Sequence, residues 1–256
     1  MNKIISYICL LSLSFLLGDR YLIQPVIAQN PPPRETFEFN PPDNGAPGGN
    51  RSGSSGNTGS RDDCPNVETD ITAFIPPTNW GNTLAERPTF WFYIPYQQGR
   101  LTLILRDEDT TNSVPRINRI SYDINNGGGI IGFPIPETVP ALEVNHAYRW
   151  RVYFNCKPNI QPSPTGIQGV VQRVAKNAAF TPQLTANTSI QERINLYANQ
   201  GLWYEAITTL IASRRAQPKE QQLNQIWSDL LSHPNVELAE FISQPLVDCC
   251  QNVIAE

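Results

Sequence analysis

Any Ser-His-acid chemistry in this 256-residue chain would have to run through His146 or His233, its only histidines. His146 follows Asn145 in the turn before a strand-like run, and His233 precedes Pro234 at the end of a helix-like run. Both read as surface turn or cap residues, whereas a catalytic histidine needs an orienting acid and a neighbouring hydroxyl. Acidic density is highest at Asp107-Glu108-Asp109 with Asn112, which raises a calcium loop. Thr111 and Asn112 break the EF-hand order, and the twelfth position, where a bidentate glutamate belongs, is Asn118. The cluster reads as a solvated hairpin turn. Glu86, Asp107, Glu137 and Glu143 could supply a carboxylate pair for glycoside chemistry, but that requires separations of about 5 or about 6.5–9.5 Å, which the sequence does not provide. Gly53-Ser54-Ser55-Gly56 lacks the preceding strand and following helix that a serine elbow needs. No catalytic, metal-binding or cofactor-binding residues are expected, and the chain reads as non-enzymatic.

A different group of residues suits binding. The string PTFWFYIPY (88–96) holds five aromatic side chains, and on a strand they divide between two faces. Phe90, Phe92 and Ile94 should enter a core. Trp91 and Tyr93 then point outward, where with Trp80 they form either a ligand platform or a docking face for another element. Exposed Trp and Tyr on a β-sandwich suit stacking on sugar rings, so a glycan is the alternative to a protein ligand. Docking would be against the amphipathic segments at 190–243, with Trp203 and Trp227 as the expected partners.

The elements that must position these residues are legible as changes in period. Short β-prone runs at 67–74, 89–94, 100–106, 117–122, 129–133, 147–155 and 167–174 are separated by Pro76-Pro77, Gln97-Gln98-Gly99, Thr110-Thr111-Asn112, Asn125-Asn126-Gly127-Gly128 and the proline-rich 158–164. Seven short strands without an intervening helical period predict an antiparallel β-sandwich over 64–180. Cys64 opens that region and Cys156 ends its longest strand, so the pair is expected as a disulfide. Cys249 and Cys250 are adjacent and could form a strained vicinal redox disulfide; the expectation is instead that one or both are buried or unpaired, because ordinary bridges need well-separated Cβ positions.

Residues 188–250 switch to helical spacing. Ile190, Ile194 and Tyr197, then Trp203, Ala206, Ile207, Leu210 and Ile211, recur on either side of Gly201 and predict helix, turn, helix. The stretch YANQGLWYEAI resembles the middle of a tetratricopeptide repeat, and Pro218 falls where such a unit stops. A single hairpin is too little to stand alone, so with 220–232 and 236–243 it should dock on the sandwich.

The remaining segments concern location. A basic start (Asn2-Lys3), an apolar run at 4–18 interrupted by Asp19-Arg20, and a small-residue site near Ala28 predict a signal peptide over 1–28. Cys9 lies in mid-run, without the small-residue approach that lipidation uses. Residues 29–63, rich in Pro, Gly, Ser and Asn, should form an extended, disordered tether. The whole chain carries net charge −4. Removing 1–28 takes away two basic residues and one acidic residue, leaving 17 against 22 and a net charge of −5. No basic block remains in the sequence, so neither a nucleic-acid partner nor attraction to an anionic membrane is expected, nor stable membrane insertion after cleavage.

Cys64, Ile75-Pro76-Pro77, the string 84–96, Gly129-Ile130-Ile131, Leu142, Tyr148-Arg149-Trp150, Cys156, 169–174 and the 197–210 segment together resemble the domain of unknown function 928 family. The resemblance runs from about Cys64 to the C-terminus. It implies an exported protein of a largely cyanobacterial family, with no established activity, cofactor or catalytic residue to carry over. RPTFWFYIP followed by YRWRVYF also resembles the immunoglobulin and fibronectin type III sandwiches of bacterial surface proteins. The resulting expectation is an extracytoplasmic module, periplasmic or secreted, that binds or scaffolds a protein partner in the cell envelope.

Overall fold

The computed structural model describes residues 38–42, 50–53, 64–108, 117–157, 163–176, 188–248, 250 and 253–255. The expected signal peptide lies outside these residues, as do Cys9, Asp109, Asn112 and Cys249. Among the described residues, eleven strands form two sheets, and three helices lie between the ninth strand and the last two. The smaller sheet has the order β1(Ser52–Gly53), β2(Ile71–Ala73), β4(Thr89–Ile94), β7(Gly129–Pro134), β10(Leu246–Val247). The larger runs β11(Val253–Ala255), β6(Ile117–Ile124), β5(Gly99–Asp107), β8(Ala147–Asn155), β9(Ser163–Arg173), β3(Trp80–Thr83).

Alternation along the strands sets the inner faces. Phe90 and Phe92 of β4 meet Trp150 of β8 edge-on at centroid distances of 5.9 and 5.8 Å, and Tyr122 of β6 meets Phe133 of β7 at 5.1 Å. The two sheets therefore pack face to face over one aromatic core. Cys64, ahead of β2, is disulfide-bonded to Cys156, just after β8, and so ties one sheet to the other. Cys250 is half-buried against the core and disulfide-bonded, so at that position the expectation of a buried or unpaired cysteine gives way to a bridged one.

The sheets are mixed rather than wholly antiparallel. β3 pairs in parallel with β9, and β10 in parallel with β7. Both exceptions are short edge strands, which carry too few residues to show a period in the sequence. The stretch expected as a tether also contributes ordered pieces. Phe39 is fully buried and meets Trp203 edge-on at 5.2 Å, while Ser52 and Gly53 pair with β2. Arg51 donates to the carbonyl oxygens of Val236 and Glu237. Composition averaged over 29–63 hid one buried aromatic anchor and one arginine contact to backbone carbonyls.

The helical region begins at α1(Ile190–Asn199), whose N-cap Ser189 accepts from the Glu192 amide while the Glu192 carboxylate accepts from Ser189 N. This reciprocal capping box starts the helix by satisfying two otherwise unpaired amides. Gly201, at φ +67°, turns the chain into α2(Trp203–Ala216). A residue without Cβ adopts that left-handed angle most readily, and a Cβ there would stand 2.8 Å from Asn40 O. α3(Gln221–Leu231) follows, but the helix expected over 236–243 reduces to a 3₁₀ turn at Ala239–Phe241. The buried faces of α1, α2 and α3 join the sheet residues in one continuous core.

Candidate functional site

The outward face of β4 is closed. Trp91 and Tyr93 are 7% and 8% exposed. Trp91 Nε1 donates to Thr208 Oγ1 of α2 at 2.9 Å, and the Arg215 guanidinium lies over the Trp91 ring at 5.3 Å. Tyr93 packs against Phe241 of the 3₁₀ turn, with ring centroids 5.0 Å apart, and burial pushes its hydroxyl pKa up. Trp91 can lie flat because its cross-strand neighbour is Gly132, where a Cβ would stand 2.7 Å from the ring. The expected partners act elsewhere: Trp203 donates to Phe74 O, and Trp227 stacks on Phe74. Trp80 is half-buried on β3 and donates to Asn82 Oδ1, so it shares no platform with Trp91.

α2 is also held at its first turn. Glu205 Oε1 accepts from Thr83 Oγ1 and from the amides of Leu84 and Ala85 at 2.7–3.0 Å, fastening the helix to the end of β3. Burial keeps this carboxyl above the usual carboxylate range, outweighing those hydrogen bonds. Its second oxygen has no hydrogen-bond partner among the described residues.

His146 lies between two acids. Nδ1 is 3.7 Å from Asp107 and Nε2 is 3.8 Å from Glu143, both beyond hydrogen-bonding distance. Because the carboxylates sit at opposite ring nitrogens, one metal ion could not take all three groups. Among the described residues no cluster of His, Cys, Asp or Glu suits a metal. His233 lies just past α3, its backbone N donating to Leu230 O and its Nδ1 accepting from Asn235 N at 3.1 Å, and it stands edge-on to Phe39. Neither histidine is hydrogen-bonded to a serine among the described residues.

The outer face of the larger sheet is charged, and among the described residues no element covers it. Register places Arg119 of β6, Ile104 of β5 and Arg151 of β8 in one cross-strand row, with Ile117, Arg106 and Arg149 in the next. Their side chains, with Tyr153, line a groove of about 410 Å³. Glu108 serves two of the four arginines, at 3.2 Å from Arg149 Nε and 3.9 Å from Arg106 Nε. Among the described residues no carboxylate pairs with Arg119 or Arg151 in an ion pair. Ile117 is 60% exposed beside them. The groove thus offers an aliphatic floor rimmed by guanidinium groups, which can bind carboxylate or phosphate through paired N–H donors.

A family model, Domain of Unknown Function (DUF928), matches residues 53–246. The chain belongs to the DUF928 family. No curated protein matches it. In this DUF928 chain the arginine groove is the feature that sequence reading missed. The alternation Arg149, Arg151, Tyr153 against Trp150, Val152, Phe154 marks one outward row on β8. Arg106 and Arg119 join it only through strand register, which local periodicity does not encode. The matched family span includes the groove, the covered Trp91 face and the Cys64–Cys156 bridge alike.

Proposed function

We propose that the protein is a non-enzymatic, extracytoplasmic binding module of the cell envelope that holds an acidic protein partner on the outer face of its larger sheet. The observation that carries this reading is the pair Arg119 and Arg151, two guanidinium groups without a carboxylate counterpart among the described residues, flanking Ile104. Arginine and tyrosine around an apolar centre are the residue types that dominate protein interfaces. A local basic face on a chain of net charge −4 also orients an acidic partner toward that face. The Cys64–Cys156 bridge supports an oxidising compartment. No helix of the described residues is long and apolar enough to cross a membrane. We read the two facing sheets as an immunoglobulin or fibronectin III-like sandwich, and the α1–α2 hairpin as a tetratricopeptide-like unit. Because Trp91 and Tyr93 are covered, they give no support to a sugar-stacking role. The test is binding of poly-L-glutamate to the full chain at low and high salt. Salt-sensitive binding that disappears in the Arg119→Glu/Arg151→Glu variant is expected. Equal binding by wild type and variant would overturn the reading.

A further inference from the structure

Resting on that reading, we infer that the partner is presented as an extended acidic polypeptide lying across the strands, from β6 to β9, rather than as a single charged group. The groove does not end at Tyr153. Arg151 and Tyr153 form a ridge shared with a second depression of about 290 Å³, whose other wall is Pro164, Gly166 and Gln168 of β9. This second depression exists because β8 and β9 slip register between Arg151 and Tyr153. Such irregularities bend a strand and re-aim its side chains. At the slip Gly166 takes φ +79°, and a Cβ built there would meet nothing within 4 Å among the described residues.

The dimensions suit a chain rather than a lone anion. Neighbouring strands stand about 4.8 Å apart, so Arg119 and Arg151, two strands apart, are separated by about 10 Å at the backbone, and β6 to β9 is about 14 Å. An extended chain advances about 3.4 Å per residue, so about three residues bridge the two arginines and about four or five cross both depressions. The exposed Ile117 and the half-buried Ile104 between the arginines favour a polypeptide carrying apolar side chains among its carboxylates. An acidic polysaccharide would bring no aliphatic group to place there.

Titration of the full chain with two synthetic peptides of alternating Glu and Leu, a tripeptide and a dodecapeptide, tests the inference. The dodecapeptide should bind at least about tenfold more tightly, because it engages both depressions. Gly166→Asp puts a carboxylate into the second depression at a backbone angle that Asp tolerates, with Gly166→Asn as the uncharged control of the same shape. The Asp variant should weaken the dodecapeptide several-fold more than the Asn variant does, and leave the tripeptide unchanged. Equal affinity for the two peptides, with no difference between Asp and Asn, would overturn the extended mode while leaving binding at the arginines intact. Tighter binding of polygalacturonate than of a peptide of equal charge would overturn the polypeptide assignment. If none of the probes binds, the underlying reading fails with it.

Discussion

Each sheet has an outer face, and the molecule treats the two in opposite ways. On the smaller sheet the outward row contains Trp91 and Tyr93, and α2 with the 3₁₀ turn covers both. On the larger sheet the row contains Arg119, Ile104 and Arg151, and no described element covers it. The contrast follows from transfer free energy. Two large aromatics gain several kcal/mol from leaving water, whereas guanidinium groups lose hydration when buried without partners. An apolar row recruits its own helices, and a cationic row waits for a counterpart.

The largest expected effect tests whether the two faces belong to one cooperative unit. Replacing Cys64 and Cys156 together by Ser should cost about 4–5 kcal/mol in the chain-entropy account, and urea denaturation should still show a single transition. Two separate transitions would mean that the covered and open faces fold independently. Trp91→Ala should cost about 3–5 kcal/mol, as removal of a buried aromatic does, and should raise proteolysis at α2. A cost below about 1 kcal/mol, the range of a surface substitution, would show that the helices do not depend on this face.

A smaller effect concerns pH. Because the folded-state pKa of Glu205 lies above its ordinary value, folding favours its protonated form. Its contribution is fully present below the ordinary carboxylate pKa and is lost as pH rises from there through the raised folded value. Glu205→Gln should therefore flatten the fall in stability on going from mildly acidic to neutral pH. An unchanged pH profile would show that folding does not raise the pKa of the Glu205 carboxyl. The smallest effect should come from the open face. Arg119→Glu with Arg151→Glu should change stability by no more than about 0.5 kcal/mol, while abolishing binding of poly-L-glutamate. A loss of stability comparable to that of Trp91→Ala would show that the face is structural after all.

Much of this could be read from residue order. The strands at 89–94 and 147–155 fall where the alternation of Phe90, Phe92 and of Trp150, Val152, Phe154 places them. The helices on either side of Gly201 follow their apolar spacing. The edge strands β3, β10 and β11 escaped because two to four residues hold no measurable period. Phe39 escaped because one buried aromatic barely alters the composition of a Pro- and Gly-rich stretch.

By itself, then, the sequence determined local conformation and which side of each strand is apolar, since both depend on neighbours within a few positions. It also nominated Cys64 and Cys156 as a pair. Tertiary structure alone decided that Thr208, Arg215 and Phe241 would roof Trp91 and Tyr93. It likewise decided that arginines at 106, 119, 149 and 151 would share one groove. Those outcomes rest on register and on helix docking, which join residues tens of positions apart, and no local pattern carries that information.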